Sequence, residues 1–214
     1  MTNKQIDDVM RILGEHFANV KTPIVDLIQA TTKDPFRVLV GTILSARTKD
    51  ETTAQAVHRL FDKISTVDEL ATLSVEEISS LIYPVGFYNA KAKHLKELPE
   101  VLNRDFGGQV PPEIDDMLTL PGVGRKTANL VRAVAFSLPA ICVDVHVHRI
   151  CNRWGYIKTS TPLESEMALR AKLPEKHWLN INSYVVAFGQ NLCTPRKPQC
   201  ERCPIYMYCK RIGL

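Results

Sequence analysis

The sequence predicts an all-α protein. Three observations carry this: apolar residues recur at helical spacing, helix-start signals precede several of the runs, and alternation of period two is almost absent. Phe36, Leu39, Val40, Ile43 and Leu44 follow the i, i+3, i+4, i+7 rule. Uncharged Val38, Gly41 and Thr42 lie between them, so this helix is expected to be buried on most sides. Ser74-Val75-Glu76-Glu77 reads as a capping box. A helix is expected over 90–104, where Pro99 fits poorly and should kink or end it. A helical stretch from about Glu113 leads to Leu120, and another starts near Arg125 and runs to Ser137. Val143 to His148 alternates apolar and polar, but the run is short and has no partner, so it reads as a turn and helix start. Thr161-Pro162-Leu163-Glu164 is a second capping box with Pro at the first helical position. Leu163, Met167 and Ala171 are expected to form the apolar face of the helix that follows. Asn182 to Leu192 reads as a buried helix ending at Cys193.

The chain has 214 residues, enough for one large domain or two small ones. At 45% hydrophobic and 23% charged it has a globular profile, which argues against disorder. The richest apolar stretch, Ala133 to Val143, is interrupted by Ser137 and Pro139 and is too short to cross a membrane. Residues 1–20 have no continuous apolar core, so a secretory signal is not expected and the cytoplasm is the expected compartment. The net charge of +4 sits entirely in residues 193–214, where Arg196, Lys197, Arg202, Lys210 and Arg211 face only Glu201. A basic end on a neutral body suggests an anionic partner; the plain alternative is a solvated tail.

Three motifs can carry chemistry. The first is Leu120-Pro121-Gly122-Val123-Gly124-Arg125-Lys126. Pro121 fixes its own φ, and the glycines permit a tight turn into a helix N-terminus, where N–H groups and the dipole favour an anion. Gly122, Val123, Gly124 and Arg125 are thus candidate contacts to a nucleic-acid phosphate, which positions without reading sequence. The second is Lys126 with Asp144. A lysine in the first turn of a helix is electrostatically misplaced, and that strain, with partial burial, favours the neutral nucleophilic amine. Asp144, bracketed by Val143 and Val145, can cap the next helix and offer its carboxylate to Lys126. The third is Cys193, Cys200, Cys203 and Cys209, spaced C-x6-C-x2-C-x5-C. Four thiols so close in a reducing compartment indicate a metal centre, zinc or iron–sulfur, rather than disulfides. Cys142 and Cys151 lie apart and read as small buried hydrophobes.

Together these residues resemble endonuclease III, the bifunctional DNA glycosylase/lyase family of the helix-hairpin-helix superfamily. The likeness also includes Leu44-Ser45-Ala46-Arg47-Thr48-Lys49-Asp50 and Val85-Gly86-Phe87-Tyr88-Asn89-Ala90-Lys91-Ala92, and it spans nearly the whole chain. It implies a six-helix barrel domain with the hairpin over 22–135. A second helical domain, 1–21 with 136–214, would carry a [4Fe–4S] cluster on the four cysteines, and damaged duplex DNA would lie in the cleft between the domains. It also implies that Lys126 attacks C1′ of a flipped nucleotide and that Asp144 assists. The basic loop carrying Arg196 and Lys197 would touch the DNA backbone, and the protein would act as a monomer. Arg47 stands where the family commonly has Gln, which fills the gap left by the flipped base. Arg47 can hydrogen-bond or stack on the orphaned base; alternatively it pairs with a nearby surface acid.

Two other readings compete. A thymine or uracil mismatch glycosylase usually lacks the lysine, and adenine-specific relatives carry a Glu where this chain has Thr42. A non-catalytic DNA-binding module would be indifferent to position 126.

Overall fold

In the computed structural model, residues 1–17, 28 and 31–214 are described, and every regular element among them is helical. The chain divides into two compact units, Thr22–Leu138 and Met1–Lys21 with Pro139–Leu214. The expected boundary at 21 and 22 lies outside the described residues.

The first unit is built around α2 (Pro35–Ser45), numbered after the N-terminal helix α1 (Asn3–His16) of the other unit. Asp34 caps α2 by accepting from the Phe36 N–H, and Pro35 takes the first helical position, where its missing donor costs nothing. Phe36 and every residue from Val38 to Leu44 are buried, the all-round burial that the uncharged run predicts. Each fully buried Leu, Ile or Val stabilises the fold by about 1.5–3 kcal/mol. Around it lie α3 (Asp50–Lys63), α4 (Val67–Thr72), α5 (Val75–Ile82), α6 (Tyr88–Phe106), α7 (Ile114–Met117) and α8 (Arg125–Phe136). The predicted capping box at Ser74 is present: the Ser74 hydroxyl accepts from the Glu77 N–H, and the Glu77 carboxylate accepts from the Ser74 N–H at 2.8 Å. Helix α6 runs through Pro99 to Phe106, so the proline does not end it. Leu95, Leu98, Pro99 and Leu102 are all buried, and their packing outweighs the backbone bond that proline removes.

The second unit packs α1, α9 (Val145–Trp154), α10 (Pro162–Lys172) and α11 (Ile181–Asn191) around Trp154, Tyr156 and Phe188. Helix α11 starts one residue before the predicted Asn182 and ends one before Leu192. In α10, the Thr161 hydroxyl caps the helix by accepting from Glu164 N, but the Glu164 carboxylate accepts from Ser160 N at 2.8 Å rather than completing the predicted box, and Leu163 and Met167 are 53% and 42% exposed. Ala171 is exposed as well. The buried face is Ser165, Glu166 and Leu169. Polar partners made this face unreadable from hydropathy. The Ser165 hydroxyl meets His148 Nδ1 at 2.7 Å and Thr159 Oγ1 at 2.6 Å, while Arg170 Nε donates to Glu166 at 2.9 Å.

Candidate functional site

The hairpin turn follows α7. Leu120 N donates to Met117 O and Val123 N to Leu120 O, both at 3.1 Å, which winds the turn tightly. Gly122 has φ +75°, and a Cβ there would meet His94 Nδ1 at 2.9 Å, so both backbone and space require glycine. Gly124 is under neither constraint. Its backbone is extended (φ −96°, ψ 173°), and a Cβ would meet no atom within 4 Å. Val123, expected among the phosphate contacts, is buried and its N–H is taken by Leu120, so it anchors the turn instead. Gly124 makes no side-chain cap, and the first bond into α8 is Ala128 N to Gly124 O at 2.9 Å. The preceding N–H groups of an α-helix have no partner within the helix.

Lys126 lies in that first turn, and it is exposed rather than partly buried. Of the buried residues of α8, Ala128 and Val131 lie roughly 140–200° round the helix from Lys126 and Asn129 about 60° from it. Asp144 is the N-cap of α9, as expected: its Oδ1 accepts from His146 N at 2.8 Å and Val147 N at 2.9 Å. Both bonds use one oxygen, and neither engages Oδ2. Thr42 is buried and its hydroxyl donates to Val38 O at 2.7 Å, within its own helix.

Arg47 stands just past the end of α2 with φ +55°. Its guanidinium lies 5.4 Å from the Phe87 ring centroid, a cation–π contact. Phe87 also has positive φ and is 63% exposed. Its sequence signal was slight: one aromatic after a glycine.

The four cysteines of residues 193–209 line one cavity, together with Arg153, Trp154 and Phe188. Among the described residues, no three His, Cys, Asp or Glu side chains gather as they would round a single metal ion. The surroundings suit thiolate sulfur. Arg153 is buried, and its Nη1 donates to Cys193 Sγ at 3.2 Å and to Thr194 O at 3.0 Å. Arg211 N donates to Cys209 Sγ at 3.3 Å. Burial pushes the Cys203 thiol up to about 11, and the nearby thiols add to this. Burial raises the Cys209 thiol too, and thiols gathered this closely ionise together only against positive charge, which an iron–sulfur centre and the buried Arg153 both provide. Trp154 is fully buried, and its indole N–H has no partner among the described residues. The donor set and its setting therefore fit a cluster. Arg149 also pins this loop, donating to Cys193 O at 3.0 Å. Neither arginine announced itself in the sequence, because their partners lie about forty residues away. Arg196 and Lys197 are exposed on the same loop. Cys142 and Cys151 are buried, as read from sequence.

Comparison with known proteins gives the following. Residues 40–175 match the HhH-GPD superfamily base excision DNA repair protein family, and residues 193–209 match the iron–sulfur binding domain of endonuclease III. Endonuclease III of Thermotoga maritima is 48% identical over 83% of this chain and 83% of its own length. Endonuclease III homolog 1, chloroplastic, of Arabidopsis thaliana is 41% identical over 83% of this chain, and the match spans 49% of that longer protein. Among solved structures, a trapped endonuclease III–DNA covalent intermediate with an estranged adenine has a TM-score of 0.86 at 32% identity, covering 99% of this chain and 97% of that one. A thermostable thymine-DNA glycosylase has a TM-score of 0.83 at 27% identity, covering 98% and 97%.

Proposed function

The chain belongs to the endonuclease III family of the HhH-GPD base-excision repair superfamily and is a DNA glycosylase and abasic-site lyase with a [4Fe–4S] cluster; from that premise we propose that Lys126 is its nucleophile and Asp144 its electrostatic partner. The place of Lys126 carries the reading: an exposed amine in the first turn of a helix whose Gly124 N-cap provides no side chain. The N-terminus of α8, with Gly122, Gly124 and Arg125, holds a backbone phosphate, and the amine follows one residue later. The neutral amine of Lys126 attacks C1′ of the extruded nucleotide as the bond to the base breaks and the base leaves with a proton. The amine then gives up one proton, the C1′–O4′ bond opens with O4′ taking a proton, and C1′ and the nitrogen are left as a protonated Schiff base. Loss of a proton from C2′ then expels the phosphate at C3′, cutting the strand 3′ to the lesion. Asp144, with Oδ2 left by its capping bonds, stabilises positive charge developing at the sugar.

The substrates are oxidised pyrimidines in duplex DNA. Arg47 with Phe87 meets the base left unpaired. Cys193, Cys200, Cys203 and Cys209 hold the cluster, which when bound cross-links residues 193–209 so that Arg196 and Lys197 face the DNA backbone. Residues 22–135 form the barrel domain, and 1–21 with 136–214 the cluster domain. The protein acts as a monomer in the cytoplasm, at the nucleoid of a prokaryote.

The test is borohydride trapping on duplex DNA with an abasic site. The wild type should be captured covalently. Lys126→Gln should lose capture and β-elimination by on the order of 10⁴-fold, as for other covalent nucleophiles, while still binding. Continued β-elimination by the variant would overturn the assignment. Similarity to a thymine-DNA glycosylase favours a second reading, thymine or uracil opposite guanine. A panel varying lesion and opposite base decides between them.

A further inference from the structure

Lys91 is a lysine on an apolar stripe, with Leu95, Leu98 and Leu102 following it along the buried face of α6. It is 7% exposed. Its ammonium donates to Leu44 O at 2.9 Å, Ala46 O at 2.7 Å and Thr48 Oγ1 at 3.4 Å. Two of these are carbonyls at the C-terminal end of α2, which lack partners within the helix and carry its negative dipole end. Three donors thus meet three acceptors, one in the last turn of α2 and two on the loop that holds Arg47. Thr48 passes the contact on: its hydroxyl oxygen also accepts from Gly86 N at 3.1 Å. Gly86 lies so close that a Cβ there would stand 2.6 Å from Arg47 O. Arg47 itself, at φ +55°, has a conformation a side chain rarely adopts, so something outside the loop must hold it. Burial alone lowers the Lys91 ammonium to about 8, the mark of a group held where water does not reach it.

We propose that Lys91 is a positioning residue for base choice: by clamping the end of α2 it fixes the backbone of Arg47, and so sets which base opposite the lesion the enzyme accepts. This rests on the reading of Arg47 given above. Lys91 is buried against protein oxygens and touches no DNA. Its effect passes through the 46–48 loop and the Thr48–Gly86 bond, which also holds the loop against the strand of chain leading to Phe87.

The experiment measures affinity for duplexes with a stable abasic-site analogue opposite each of the four bases, alongside saturating single-turnover cleavage of a true abasic site. The wild type should discriminate by about tenfold, the scale of one good base-edge contact. Arg47→Ala should collapse that spread. Lys91→Met, which keeps the length and removes the donors, should collapse it as well, and the double variant should add nothing further. The saturating cleavage rate should change less than affinity. Thr48→Val and Gly86→Ala disturb the same loop from outside Lys91 and should narrow the spread even if Lys91→Met fails to fold. If Arg47→Ala collapses the spread while Lys91→Met, or the two loop variants in its place, leave it intact, the positioning role is wrong. If the spread is missing or survives Arg47→Ala, the reading of Arg47 fails, and the role of Lys91 falls with it.

Discussion

Burial separates the two ends of this enzyme's chemistry. In the 193–209 loop, Cys193 is buried, the other three cysteines are half-buried, and the anchoring bonds are already made: Arg153 to Cys193 Sγ and Thr194 O, Arg149 to Cys193 O. In the hairpin, Lys126 is exposed and Gly124 is surrounded by open space. The first arrangement suits a resident group that must stay put, since buried charge is tolerated only when partnered. The second suits a ligand that arrives, displaces water and leaves. The two regions should therefore fail differently when altered, one through folding and the other through binding.

The largest expected effect is on the thiol side. Cys203→Ser removes a cluster ligand from a half-buried setting and should cost several kcal/mol of stability, as for other structural metal centres. The brown visible absorbance of the purified protein should fade, with thermal unfolding shifted well down. A colourless variant that melts at the wild-type temperature would erase the contrast.

A pair of glycine changes probes the hairpin from both directions. Gly122→Ala forces a side chain into positive φ and against His94, and should destabilise by about 1–3 kcal/mol. Gly124→Ala meets neither obstacle, so its stability cost should stay under about 1 kcal/mol, the scale of a poorer N-cap. Its methyl would stand where a phosphate approaches, so DNA affinity should drop by roughly tenfold. Thermal melts beside binding isotherms separate the two. Unchanged affinity in Gly124→Ala would mean that the helix end is not the phosphate site.

How much of this was legible in the sequence depended on how local each partner was. The caps at Ser74, Thr161 and Asp144 involve residues two or three positions away, and all three are present. The buried run of α2 was plain because every residue in it is uncharged. The buried face of α10 was misread because Ser165 and Glu166 are buried by virtue of distant partners, whereas Leu163 and Met167 face outward. Lys91 was legible only as part of a family motif, and its burial was not, for the same reason: its acceptors lie 43–47 residues away. Position 126 was legible as chemistry only through its combination with the turn before it; the expected burial did not follow, because burial is set by which face of α8 meets the core.

Salt dependence reads the exposed side more finely. Arg125→Ala, Arg196→Ala and Lys197→Ala should each flatten the slope of log affinity against log salt by roughly 0.9, one released counterion apiece. A variant with an unmoved slope marks a residue that neutralises no phosphate.

The smallest effect concerns Lys91, the one lysine buried among the described residues. Burial lowers Lys91 from 10.5 to about 8, so between those values the folded protein holds fewer protons than the unfolded chain. Stability from this group therefore rises with pH across that window, and the charging penalty is complete below it. Burial raises the Cys151 thiol and the Tyr156 hydroxyl, which pulls stability the other way as pH rises. The wild-type curve alone thus mixes opposing trends. Subtracting the curve of Lys91→Met isolates the lysine, and the wild-type-minus-variant difference should climb between pH 8 and 10.5. A flat difference would show that the ammonium keeps its water in the folded protein, and the clamp on α2 would then be a surface contact like any other.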